Sequence, residues 1–181
     1  MSRISIAQLF EHKKEKLGLS WIAGQEGGAI ELSDDEIGQS GQGMIGHLNF
    51  IHPDWIQVLS SDEIHYLNKL EPASLEKKLG QLTQGNLACL IVADHSEVPD
   101  SILQMASTSN IPVWRSPYPS LEIIWVIRTY LGSVLAPSCS LHGVLLDVLG
   151  MGVLITGESG VGKSELALEL ISRGHGLVAD D

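Results

Sequence analysis

The stretch Gly157-Glu158-Ser159-Gly160-Val161-Gly162-Lys163-Ser164 restricts what this chain can be more than any other. It fits G-x-x-x-x-G-K-[ST], the phosphate-binding loop of P-loop nucleotide enzymes. The chemistry asks for these residue types. Glycines let the backbone turn sharply and bring its N–H groups close to phosphate oxygens. Lys163 can place a compact positive charge on the β- and γ-phosphates, and the Ser164 hydroxyl can hold Mg²⁺. The start of the following helix adds its unpaired N–H groups and the positive end of its dipole. Gly157, Glu158, Ser159, Gly160, Val161, Gly162, Lys163 and Ser164 are therefore the expected nucleotide-binding residues.

At ordinary residue frequencies the four fixed positions arise by chance in about one chain of this length in a hundred. The flanks narrow that further. Val153-Leu154-Ile155-Thr156 is apolar and β-branched and reads as a buried strand. Leu166, Ala167, Leu170 and Ile171 follow at helical spacing, Glu169 and Arg173 form an i,i+4 pair, and Gly174 stands where a helix would stop. Strand, glycine loop and helix is the arrangement the motif requires.

The net charge of −11 over 181 residues argues against a phosphodiester backbone as partner, and no basic cluster reverses it. Cys89 and Cys139 lack metal or C-x-x-C spacing, which fits a reduced, cytoplasmic setting. His142, Gly143, Asp147 and Gly150 interrupt the longest apolar region, so no membrane span is expected. Charged residues from His12 to Lys16 leave no apolar signal core.

From the start, Ser5-Ile6-Ala7-Gln8 reads as a capping box before a helix with Leu9, Phe10 and Leu17 on one face, ended by Gly18. Ser20–Ala23 reads as a strand, and Gly24–Gly46 as a mobile acidic loop. His47 and His52 invite a metal reading, but no third ligand stands nearby and Pro53 breaks any helix, so ordinary turn histidines are expected. Trp55–Leu59 reads as a strand, followed by a helix capped by Ser61 or Asp62 and carrying Ile64, Leu67 and Leu70. Leu87–Ala93 is a continuous apolar run, as in a strand covered on both faces. Pro99 opens a helix through Ile102, Leu103 and Ala106, and Ile111–Trp114 starts another strand, a βαβ pattern. Ser120 caps a long helix through Leu131, after which small residues and Pro137 mark a boundary. The expected division is 1–133 and 134–181.

Beyond the boundary, Leu141–Val148 and Gly152–Thr156 read as a hairpin turning at Gly150 and feeding the phosphate loop. Leu177-Val178-Ala179 is a further strand ending in Asp180-Asp181. An acid at such a strand end near phosphates serves Mg²⁺ or the attacking hydroxyl. If the strand stays regular, alternation turns only one of the pair toward the nucleotide, and the pattern does not choose between them.

These residues carry a resemblance. His142-Gly143-Val144, the hairpin, Gly157 to Leu170, Arg173-Gly174-His175 and Ala179-Asp180-Asp181 resemble the bacterial HPr kinase/phosphorylase family, and His47–Pro53 and the βαβ unit resemble its N-terminal domain more loosely. The resemblance implies a serine kinase of the phosphocarrier protein HPr, using ATP or pyrophosphate with Mg²⁺. It implies the reverse reaction as well, phosphorolysis by phosphate to give pyrophosphate. Lys163 would stabilise the transferring group, Ser164 would bind Mg²⁺, Asp180 or Asp181 would be base and then acid, and His142 would be a catalytic position. The implied fold is α/β: a Rossmann-like N-terminal domain joined to a P-loop kinase domain related to phosphoenolpyruvate carboxykinase, in a cytoplasmic homo-hexamer. The family continues past the position of Asp181 with a second metal ligand, a catalytic arginine and a phosphorolysis loop, so this chain reads as a fragment and the activity as its parent's. Two other readings stand beside it: a non-catalytic regulatory or assembly module with a vestigial nucleotide loop, and a P-loop kinase of another substrate.

Overall fold

A computed structural model describes residues 3–33, 43–51, 54–136 and 141–180. His52, Pro53, Cys139 and Asp181 lie outside the described residues, as does 34–42 of the expected acidic loop. The chain forms two compact units, Met1–Pro137 and Ser138–Asp181.

The first unit is built on a five-stranded sheet. Its strands are β2 (Ser20–Ala23), β4 (Ile45–His47), β5 (Ile56–Leu59), β6 (Cys89–Val92) and β7 (Val113–Arg115), in the order β2-β7-β6-β5-β4. β4 to β7 run parallel and β2 is antiparallel at the edge. Two short strands, β1 (Arg3–Ser5) and β3 (Glu31–Ser33), pair antiparallel in a separate ribbon. The sheet is covered on both faces, which is why β5 and β6 are buried at every position. Ile56, Val58, Cys89, Ile91 and Trp114 pack with α1 (Ile6–Lys13) and α5 (Ser120–Val134). Leu59, Leu90, Val92 and Val113 pack with α2 (Ser61–Asn68), α3 (Pro72–Thr83) and α4 (Asp100–Ser109). The α/β class and the parallel βαβ unit are as the sequence leads one to expect.

Buried Gln57 is the polar exception in β5, and it is satisfied. Its Oε1 accepts from the Asn49 N–H at 2.9 Å and its Nε2 donates to the Asn49 carbonyl at 3.3 Å. Glu63 grips the same connection, accepting from the Leu48 N–H at 3.0 Å. The described residues just after β4 are thereby tied to β5 and α2.

Several elements differ from the sequence reading. The expected mobile loop holds a 3-10 turn (Gln25–Ala29), β3 and β4, because β3 finds a partner distant in sequence in β1, and β4 adds to the parallel sheet beside β5. α1 ends at Lys13, short of Gly18. The cap of α2 is Ser60, not Ser61 or Asp62, in a reciprocal box with Glu63. α3 stands where no helix is expected, opened by Pro72 and burying Leu79 and Leu82. Ser120 is the first helical residue of α5, its cap being Pro119 and its N–H bound by Asp94 Oδ1 at 3.3 Å. No described helix is long and apolar enough to cross a membrane.

Candidate phosphate site

The second unit is a three-stranded antiparallel sheet, β10-β8-β9, made of β8 (Val144–Val148), β9 (Met151–Ile155) and β10 (Gly176–Ala179), with α6 (Lys163–Ser172) packed on it. The hairpin turns through Leu149 (φ 56) and Gly150 (φ 81), and Asp147 Oδ1 accepts from the Gly150 N–H at 2.8 Å. The core is thin: among the described residues only Val144, Leu146 and Ala167 are buried in it.

Register decides what this sheet brings together. Val144 faces Ile155, and Leu145 faces Ala179. The start of β8 therefore lies at the same sheet end as the finish of β9 and of β10. His142 precedes the first by two residues, Gly157 follows the second by two, and Asp180 follows the third directly. Three stretches read separately from the sequence thus lie at one end of the sheet. Asp181 lies outside the described residues. A register shift between Leu177 and Ala179 breaks the regular alternation on which a choice between Asp180 and Asp181 would rest.

The loop leaves β9 and enters α6 through Gly162, which takes φ 97 and caps the helix without a side chain. The first intrahelical bond is Leu166 N–H to the Gly162 carbonyl, at 3.0 Å. The N–H groups before it have no intrahelical carbonyl and lie at the positive end of the helix. Lys163 Nζ donates to the carbonyls of Gly157 (3.0 Å) and Glu158 (3.1 Å), so the ammonium ties the end of the loop to its beginning. Sequence spacing gives no sign of these two acceptors. Ser164, next on the helix, is exposed, as are His142 and Asp180. Glu169 and Arg173 form the expected pair, with two nitrogens on Glu169 Oε1 at 3.0 and 2.7 Å. His47 Nδ1 lies 3.7 Å from Glu63 Oε2, and the described residues hold no cluster of three or more His, Cys, Asp or Glu side chains placed to bind a metal ion.

Comparison with known proteins agrees with this geometry. Residues 4–131 match the family model described as HPr Serine kinase N terminus, and residues 133–181 match HPr Serine kinase C-terminal domain. The chain belongs to the HPr serine kinase family. It is 57% identical over 183 residues to the HPr kinase/phosphorylase of Nitrosomonas europaea, covering 100% of this chain and 56% of that protein. Proteins of the same description from Chromobacterium violaceum (45% over 185 residues; 100% and 57% covered) and Bordetella pertussis (42% over 178; 98% and 57%) are also similar. The chain spans little more than half the length of these curated relatives. Among the three readings of the sequence, family membership favours the HPr kinase.

Proposed function

We propose that this chain is part of a kinase that transfers a phosphoryl group from ATP or pyrophosphate to a serine of the phosphocarrier protein HPr. The same site reverses the transfer by phosphorolysis, and the balance regulates carbon metabolism. The observation that carries the reading is that the Gly157–Ser164 loop and Asp180 leave the same end of one small sheet, in a chain of this family. Residues 1–133 are the N-terminal domain and 134–181 the start of the kinase domain.

The roles follow from chemistry. Backbone N–H groups of the loop and of the first turn of α6 bind the phosphates. The Lys163 ammonium, held at the loop by two carbonyls, meets the β- and γ-oxygens and stabilises charge on the moving phosphoryl group. The Ser164 hydroxyl, exposed at the helix start, suits Mg²⁺, a hard cation that takes oxygen ligands. When bound, Mg²⁺ neutralises phosphate charge. One aspartate of the Asp180-Asp181 pair takes the proton of the HPr serine hydroxyl as its oxygen attacks phosphorus, and the nucleotide or phosphate leaves. In reverse, phosphate attacks the phosphoserine, pyrophosphate forms, and the same acid returns the proton to the serine oxygen. His142 adds a donor at the phosphate edge. The assembly is a cytoplasmic homo-hexamer.

The test is incubation of HPr with γ-labelled ATP, Mg²⁺ and this chain completed to full length with the remainder of the Nitrosomonas europaea relative. Label on a serine of HPr, released as pyrophosphate by excess phosphate, is expected. No label on HPr, or equal labelling by the Lys163→Ala variant, contradicts the proposal.

A further inference from the structure

Gly143 lies one position outside the β8–β9 ladder, whose end pair is Val144 with Ile155. A Cβ built on Gly143 would overlap the carbonyl oxygen of Ile155 and stand 3.3 Å from its carbonyl carbon and from Leu154 Cδ1. A clash with backbone is not relieved by turning a side chain, so one strand must shift. Ile155 is the last residue of β9, and only Thr156 separates it from Gly157. The carbonyls of Gly157 and Glu158 are the two that hold Lys163 Nζ. A displacement at Gly143 is therefore passed directly to the groups that aim the ammonium. The same hairpin contains a contrast: a Cβ at Gly152 meets nothing within 4 Å.

We infer that Gly143 is a positioning residue for the phosphate site. Its bare Cα lets the His142 segment approach the exit of β9, and so fixes where the loop carbonyls present Lys163 to a polyphosphate, either a nucleoside triphosphate or pyrophosphate. This rests on the nucleotide reading above. Gly143 touches no ligand and acts through the Ile155 carbonyl. Misplacing a catalytic group by about 1 Å costs about 10²-fold in rate. Weaker phosphate contacts lower affinity as well, about tenfold for each 1.4 kcal/mol lost.

Two readouts on the 181-residue chain test it. In ¹⁵N spectra without ligand, Gly143→Ala shifts the amides of 155–164, while Gly152→Ala leaves them in place. In titrations with Mg-ATP and with Mg-pyrophosphate, Gly143→Ala binds about tenfold more weakly and Gly152→Ala binds as the unaltered chain does. Loop amides that do not move in Gly143→Ala, or that move equally in both variants, overturn the inference. So does unchanged affinity in a Gly143→Ala variant of a chain that binds. Collapse of the β8–β10 resonances in Gly143→Ala makes Gly143 a folding residue and overturns it too. If the unaltered chain binds neither probe, the nucleotide reading fails, and the ligand-free spectra alone decide the role of Gly143.

Discussion

Lys163 sits at the junction of loop and helix with its ammonium on two carbonyls of its own loop. The two hydrogen bonds restrain its side chain, which lowers the cost of ordering it on a phosphate. Replacing it with alanine removes a charge and two exposed hydrogen bonds to the loop, and no part of the buried core. In the chain completed to full length, Lys163→Ala should abolish transfer to HPr while the far-UV circular dichroism is unchanged; transfer at the unaltered rate would refute its role. Cys89 represents the opposite situation. It is fully buried in β6, and burial pushes its thiol well above the usual range, away from the reactive thiolate. Peptide-resolved mass spectrometry should find Cys89 unmodified by iodoacetamide in the native protein and alkylated in denaturant. Rapid alkylation without denaturant would mean that β6 is not the buried strand described.

Glu63 links three features of one element junction. Its carboxylate accepts from the Ser60 N–H at 2.7 Å, the Ser60 hydroxyl at 2.8 Å and the Leu48 N–H at 3.0 Å. Loss of the cap alone, in Ser60→Ala, should cost about 1 kcal/mol. Glu63→Ala keeps the Ser60 hydroxyl as cap but strands the part-buried Leu48 N–H and the Ser60 N–H, and should cost more, about 1–3 kcal/mol. Urea melts giving equal losses for the two variants would contradict the shared role. This junction also shows what was legible in the sequence. A capping residue followed three places later by Glu or Gln identified α1 correctly, and the same rule applied to Ser60 and Glu63 would have corrected α2. α3 is legible in Pro72 and in Leu75, Leu79 and Leu82 at helical spacing. β5, β6, α4 and the β8–β9 hairpin were read because their signals are local runs and turns. β3 and β4 were not, since three-residue strands take their stability from β1 and β5, which no local pattern reveals. The loop and the acidic pair were visible as motifs. That the loop and Asp180 come to one end of the sheet, and the Gly143 contact, depend on strand register.

The two compact units have unequal cores. The first buries two large clusters on either side of its sheet, whereas the second buries Val144, Leu146 and Ala167 among the described residues. Opening energy follows buried apolar contact. Hydrogen exchange should therefore lose protection in β8, β9, β10 and α6 at lower urea than in β5 and β6, and uniform protection across both would count against this division. Exposed apolar side chains on the second unit, including Leu149, Met151 and Leu177, accord with a chain that covers about half of its relatives' length. The site nevertheless keeps its loop, its lysine and an acid at one end of this small sheet. The most direct measurement is calorimetric titration of Mg-ATP into the unaltered chain and into Lys163→Ala. Saturable binding by the first that is lost in the second is the predicted result. No binding by the unaltered chain, or equal binding by both, would contradict the assignment of Gly157–Ser164 as a working phosphate site.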